Sequence, residues 1–213
     1  MSMSWRLASR LSVITMAFLV VLIVALMSLR SGLGGSTSTT STTTNPSGLQ
    51  GTDLQGVAAP DFRLTDQFGQ QVSLSQFKGK PVVVTFMYTH CPDVCPLIAE
   101  KLRSVEQSLG SDAQKVAILA ISVDPKGDTR TAAMTFSEQH KMTDYWHFLI
   151  GTQNQLSPVW TAYAIDAQRI SASTSTHTSA LYVIDKTGHE RVLLDQDFTS
   201  AQMISDLKTL LGK

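Results

Sequence analysis

Cysteine is scarce in this chain: only Cys91 and Cys95, four positions apart, occur among 213 residues. Two thiols cannot build a disulfide-stapled scaffold, and a zinc site of four thiolates cannot form within one such chain. What remains is one bridge, one redox pair, or a metal site completed by other residue types. These two cysteines are therefore the first candidates for chemistry.

Acidic residues are absent before Asp53, although 17 basic residues balance 17 acidic ones over the whole chain. A nucleic-acid-binding protein would favour a basic stripe, so we expect no nucleic-acid partner. The uneven distribution instead separates an acid-free N-terminal part from the remainder of the chain.

Residues 11–29 contain no charged side chain. This length matches the roughly 20 residues that cross a bilayer as a helix, and we predict a single transmembrane anchor here. The alternatives are a buried helix of a globular domain and a cleaved signal peptide, whose apolar part is usually shorter, at about 7–15 residues. Arg6 and Arg10 precede the segment and Arg30 alone closely follows it, so the positive-inside rule places residues 1–10 in the cytoplasm and the rest outside.

Residues 30–52 are rich in Ser, Thr and Gly, with almost no apolar side chains. Such a segment cannot bury enough apolar surface to offset chain entropy, so we predict a flexible tether. Residues 53–213 have the length of one ordinary domain with a real core.

The periodicity of this domain predicts a mixed α/β sheet flanked by helices. The expected strands cover residues 62–65, 71–74, 82–87, 116–121, 180–185 and 189–194, and the expected helices begin near Pro92, Thr129, Gln153 and Thr199. The order of these elements resembles that of thioredoxin-like domains.

Cys91 and Cys95 follow the apolar strand 82–87 and precede helix-forming sequence. If Pro92 opens the helix, both sulfurs lie on one face of its first turn, where the helix amides lower the pKa of a thiol. Ligands of α/β folds bind at this end of the sheet. The alternative is a structural disulfide or two buried small side chains.

A histidine is the best candidate to join the thiols. His177 lies in a polar loop, residues 171–179, which runs into the buried strand that starts near Ala180. In a thioredoxin-like sheet that loop end faces the start of the thiol helix. The other histidines suit surface positions better: His90, His140, His147 and His189.

Two thiolates and one imidazole make a soft donor set, which favours Cu(I) over a closed zinc site needing a fourth ligand. Asp93 between the cysteines either stabilises the helix start or contacts a metal or partner. Asp124 follows the second core strand and either lies at the same mouth or forms a turn.

These motifs together resemble the Sco/SenC family of membrane-tethered, thioredoxin-fold proteins of cytochrome c oxidase assembly. The resemblance rests on the cysteine motif 88–96, on Ser122-Val123-Asp124-Pro125 with Asp128-Thr129, and on His177 before strand 181–185. It implies copper bound as Cu(I) or Cu(II) by Cys91, Cys95 and His177. It further implies a copper donor protein, and as recipient the CuA site of oxidase subunit II, which is loaded with copper or has its cysteines reduced. The implied location is the cell membrane, or the mitochondrial inner membrane in a eukaryote.

This chain departs from the family pattern at two positions. Thr176 stands where an Asp often precedes the histidine, and Leu97 stands where a polar or acidic residue often follows the motif. Both changes leave the three ligands intact but alter the surroundings of the site and the docking surface.

Two enzymatic alternatives share this fold. A peroxiredoxin needs a Thr three residues before its reactive cysteine, whereas this chain has Tyr88 or Pro92 there. A thiol–disulfide oxidoreductase or redox sensor, in which Cys91 and Cys95 are the catalytic pair, is the stronger alternative. Such enzymes usually have two residues between the cysteines and a cis-proline where this chain has His177-Thr178, which favours metal binding.

Overall fold

The computed structural model of the chain describes residues 19–24, 48–167 and 180–212. The chain separates into two compact units, residues 1–43 and 44–213. Within the first unit, residues 19–24 are helical. No helix in the described ranges is long and apolar enough to cross a bilayer. Most of the predicted anchor 11–29 lies outside those ranges and stays a prediction.

The described residues of the second unit form a six-stranded mixed sheet. Its strands are β1 Thr52–Ala58, β4 Val82–Met87, β5 Ala117–Ser122, β6 His147–Leu149, β7 Leu181–Ile184 and β8 His189–Leu194. Their spatial order is β1-β8-β7-β4-β5-β6, in which β4, β5 and β6 run parallel and the remaining neighbours run antiparallel. A separate hairpin pairs β2, Arg63–Thr65, with β3, Gln71–Ser73.

Within the described residues of this unit, four α-helices flank the sheet: α1 Val94–Leu109, α2 Arg130–Gln139, α3 Gln153–Ala162 and α4 Ser200–Leu211. The same residues also form two short 3-10 helices, Leu74–Phe77 and Gly110–Lys115. The predicted mixed α/β sheet with flanking helices is confirmed. The continuous apolar runs of the sequence form the central strands β4 and β5, which are buried on both faces.

Neither edge strand of the sheet, β1 or β6, is among the predicted strands. β1 lacks an apolar alternation and contains a bulge between Asp53 and Val57, with Gln55 at φ 59°. β6 has only three residues. Leu49 is buried and Thr52 begins β1, so these two residues of the predicted tether belong to the folded domain.

The start of α1 also differs from the expectation. The helix begins at Val94 with Asp93 as its N-cap, so Pro92 lies before it. Cys95 is then in the first turn, whereas Cys91 is in the preceding loop. The expected arrangement of both cysteines on one helical face is therefore wrong.

Candidate metal and redox site

The cysteine pair is attached to the centre of the sheet. β4 lies between β7 and β5 and is buried along its whole length. After β4 the chain turns, and the Cys91 amide donates a hydrogen bond to the Tyr88 carbonyl oxygen at 3.3 Å. The loop before α1 therefore starts from the best-anchored strand of the domain.

Both cysteines are free thiols that are largely shielded from solvent: Cys91 is 8% exposed and Cys95 0%. They lie close together, since the Cys95 amide donates to the Cys91 sulfur at 3.3 Å. Although Cys91 is outside the helix, its sulfur thus reaches a free amide of the helix's first turn. The two thiols therefore lie together as predicted, although Cys91 is in the loop before the helix and not in its first turn.

The two thiols hold their protons unequally. A hydrogen bond with the Cys95 thiol, followed by the amides of Asp93 and Cys95, lowers the pKa of Cys91 to about 6 against the opposing effect of burial. The same hydrogen bond, together with burial and the neighbouring charge, raises the pKa of Cys95 strongly. At neutral pH Cys91 is therefore the thiolate and Cys95 the thiol that donates to it.

Tyr88 contributes a fourth donor to the Cys91 sulfur. Burial first, and then the negative charge of Cys91, raise the pKa of its phenol to about 12. The phenol therefore keeps its proton, and its hydrogen bond to the Cys91 sulfur helps to hold that thiol ionised.

Asp128 fastens the cysteine loop to the end of β5, a role that the sequence did not disclose. Its carboxylate accepts hydrogen bonds from the Thr89 amide at 2.8 Å, the Thr89 hydroxyl at 2.7 Å and the Ser122 hydroxyl at 2.6 Å. Burial raises the pKa of Asp128 despite these bonds. The following Thr129 is the N-cap of α2. A Thr before a helix predicts such a cap, but it does not predict the contacts of Asp128 that hold the loop.

His90, Asp124 and Asp128 meet beside this loop, with one potential ligand atom from each lying within 4.8 Å of the others. Asp124 is thus near the same mouth, as one of its two predicted roles required. It also forms a turn, because its carboxylate accepts from the Lys126 and Gly127 amides. His90 is exposed, as predicted, and its Nδ1 lies 3.1 Å from the Thr89 hydroxyl.

The other described histidines lie away from this mouth. His147 begins β6, and His189 follows the β7–β8 turn, so both are at the end of the sheet where β4 begins. His140 ends α2 and contacts Phe136, with 4.4 Å between ring centroids. His177 and the Thr176 next to it lie outside the described residues.

Comparison with known proteins places the chain in one family. A family model described as SCO1/SenC matches residues 50–212. The SCO1 protein homolog of Bacillus subtilis is 26% identical over 170 residues, which cover 76% of this chain and 87% of that relative. The structure of Bradyrhizobium japonicum ScoI with copper bound is 30% identical, with a TM-score of 0.61, and the match covers 73% of this chain and 100% of that one.

The fold also extends beyond that family. The thioredoxin domain of a thiol-disulfide oxidoreductase from Bacteroides vulgatus is 19% identical, with a TM-score of 0.57, over 73% of this chain and 96% of that one. At this identity the likeness shows the fold alone, which is thioredoxin-like as predicted. With its model matched over nearly the whole second unit, the chain belongs to the SCO1/SenC family.

Proposed function

We propose that this protein is a membrane-tethered copper chaperone that holds copper with Cys91, Cys95 and His177. Its recipient is the CuA site of cytochrome c oxidase subunit II, to which it delivers copper or whose cysteines it reduces, and a separate donor protein loads it. Family membership supports this proposal, since BsSco, whose structure is similar, is a member of the Sco family of cytochrome c oxidase assembly proteins. A related protein has been solved with copper bound.

One observation carries the ligand assignment. Strand β7 runs antiparallel to β4, and Leu181 at its start pairs with Thr85 near the cysteine end of β4. The chain that leaves His177 therefore reaches the sheet four residues later at the end where Cys91 and Cys95 lie. This register supports a third ligand from that loop.

The thiol pair suits Cu(I) as cargo. Thiolates are soft ligands that favour this ion, and Cys91 is already ionised at neutral pH. Cys95 must release its proton for both sulfurs to bind, so copper uptake releases about one proton. Before copper binds, the Cys95 thiol, the helix amides and Tyr88 stabilise the negative charge of the Cys91 sulfur.

Thiol–disulfide exchange is the second candidate function, and the shared proton of the pair favours it. The Cys91 thiolate would attack a disulfide of the partner, and Cys95 would then displace the partner's thiol. The products are one Cys91–Cys95 disulfide and two reduced partner thiols, so two electrons pass to the partner. Reduction of the CuA cysteines would be one instance of this reaction.

A Cu(I) titration of the reduced full-length chain against a competing chelator tests the chaperone function. We expect one Cu(I) per chain. His177→Ala should weaken binding by at least about tenfold, the effect of losing one ligand, while the dithiol still forms a disulfide. His189→Ala, at the opposite end of the sheet, is the matched control and should bind as wild type.

Two results would contradict the assignment. Equal binding by His177→Ala and wild type would remove His177 from the ligands. Absence of Cu(I) binding by the reduced wild-type chain would reject the chaperone and leave the oxidoreductase.

The proposed membrane attachment depends on residues 11–29 forming a single transmembrane helix, with residues 1–10 in the cytoplasm. Protease added to the outer face of intact cells or spheroplasts should digest the domain and spare an N-terminal tag. Recovery of the whole chain in the soluble fraction would contradict the anchor.

A further inference from the structure

A second site lies at the opposite end of the sheet from the cysteines. A cavity of about 600 Å³ opens where β5 and β6 begin, between the C-terminal half of α1 and the loop before β6. Its lining combines one buried acid, Glu106, with aromatic and charged side chains: Phe68, Phe77, Lys80, Asp144, Tyr145, Trp146 and His147. None of these residues belongs to the copper and thiol chemistry.

Glu106 is the unusual member of this lining. It is only 4% exposed, yet it has no hydrogen-bonding or charged partner within the described part of the chain. Burial alone raises the pKa of its carboxyl to about 7. A buried carboxyl without a partner is costly to keep, so its position in a cavity wall points to a partner that the chain itself does not supply.

The basic side chains that line the same cavity have other hydrogen-bond partners. Lys80 also lines the cavity, but its Nζ donates to the Gln114 carbonyl oxygen at 2.9 Å. His147 Nδ1 lies 2.9 Å from Asp66 Oδ2, and the other oxygen of this fully buried carboxylate accepts the Phe68 and Gln70 amides. Both of these basic side chains therefore already contact an acceptor other than Glu106.

The chemistry of the lining selects the ligand. Glu106 and Asp144 both offer carboxylate acceptors, so the ligand must bring N–H donors and positive charge. Phe68 and Tyr145 line the cavity, are 42% and 40% exposed, and provide aromatic faces for a flat cation. A metal ion is disfavoured, because the metal-type cluster found among the described residues is His90, Asp124 and Asp128.

We propose that this cavity binds a planar organic cation, of the guanidinium or amidinium type, with the Glu106 carboxylate as its counter-charge. The cation is either a free small molecule or an arginine side chain of a partner protein. Because the cavity and the thiols lie at opposite ends of the sheet, binding does not depend on the copper function.

Benzamidine and benzamide form a matched pair of probes, since they have nearly the same shape and differ in charge. Calorimetric titration of the full-length chain should show saturable binding of benzamidine and at least about tenfold weaker binding of benzamide, as expected for loss of a charge-assisted hydrogen bond. The resonance of the Trp146 indole N–H should shift during the benzamidine titration. Agmatine and a short arginine-containing peptide, compared next, distinguish a free ligand from a protein side chain.

Glu106→Gln keeps the size of the side chain and removes its charge. It should weaken benzamidine binding by at least about tenfold, while Glu100→Gln, an exposed change on the same helix, should leave binding unchanged. Equal affinity for both probes, or unchanged binding by Glu106→Gln, would overturn the proposal. Absence of saturable binding in the millimolar range, with a lower melting temperature for Glu106→Gln, would show instead that Lys80 or another internal group pairs with Glu106.

Discussion

At the scale of single residues, the two cysteines differ more than their spacing suggests. Cys91 is held as a thiolate by donors from its own loop, the helix start and Cys95, whereas Cys95 retains its proton. The sequence predicted that helix amides lower the pKa of a thiol here, which holds for Cys91 in the loop but not for Cys95 in the helix. It could not show which sulfur is ionised, because this depends first on the Cys95 thiol and then on the Cys95 amide donating to the Cys91 sulfur.

Alkylation kinetics should reveal this difference. The rate of Cys91 modification by a small iodoacetamide reagent should rise with pH through about 6 and then level off, because only the thiolate reacts. In Cys95→Ser the hydroxyl replaces the donating thiol, while Cys95→Ala removes the donor and should move the midpoint of this rise to higher pH. A midpoint above pH 8 in the wild-type chain would contradict the assignment of Cys91 as the thiolate.

Glu106 should make the stability of the domain fall as pH rises. Its carboxyl has a pKa of about 7 in the folded chain and 4.5 as its ordinary value. Between these values the folded state keeps a proton that the unfolded state has lost, so the free energy of unfolding decreases with pH. Below the ordinary value the cost vanishes, and above pH 7 it is complete.

Glu106→Gln should therefore stabilise the domain by about 2 kcal/mol above pH 7, a value reduced to allow for water at the cavity mouth, and hardly at all near pH 4. Thermal melts of both proteins at pH 4 and pH 8 measure this difference, with Glu100→Gln as the exposed control. An equal gain at both pH values would show that the effect does not come from ionisation.

At the scale of elements, the end of β4 is held by the end of β5. Asp128 connects the two through Thr89 and Ser122, and Trp160 of α3 donates its indole N–H to the Ser122 carbonyl oxygen at 2.9 Å. The cysteine loop is thus fastened from the neighbouring strand and from a helix. The contacts between Asp128 and Thr89 could not be inferred from the sequence, because the proximity of these two residues depends on the parallel register of β4 and β5.

Removal of the Asp128 carboxylate should lower the free energy of unfolding of the domain. Asp128→Ala leaves three donors without their acceptor, and we expect a loss of about 2–4 kcal/mol in the free energy of unfolding. Asp124→Ala loses an acceptor of two amides in a half-exposed turn and should cost about 1 kcal/mol. Urea unfolding compares the two variants, and equal costs would deny Asp128 this special role.

At the scale of the whole molecule, the sequence predicted the centre of the fold and missed its edges. Continuous apolar runs such as 82–87 mark strands that are covered on both sides, and these were placed correctly. β1 is half exposed and bulged, and its only pairing is with β8, far along the chain. Such a strand carries little local signal, since its stability comes from a partner more than 130 residues away.

The two ends of the domain are joined by a buried acid. Asp206 of α4 accepts the Gln50 amide at 2.6 Å and is fully buried, while its Oδ2 has no partner among the described residues. Burial raises the pKa of Asp206 despite the bonds to the Gln50 and Gly51 amides. This contact explains why the folded domain already includes Leu49.

Two substitutions separate the charge of Asp206 from its role as acceptor. Asp206→Asn keeps one oxygen and removes a buried charge, so we expect a neutral or stabilising effect at pH 7. Asp206→Ala leaves the Gln50 and Gly51 amides without an acceptor and should lower the free energy of unfolding by about 1–3 kcal/mol. Chemical denaturation at pH 7 measures both, and a larger loss for Asn than for Ala would contradict this account.

This junction has a consequence for biosynthesis. The residues that open the domain, Gln50 and strand β1, find their partners only in α4 and β8, close to the end of the chain. A growing polypeptide therefore cannot close its sheet or cover Leu49 before nearly all of it has been synthesised. Such late closure leaves the domain without its complete sheet for most of its translation, and a polypeptide that has not yet folded is the form that a narrow translocation channel can pass.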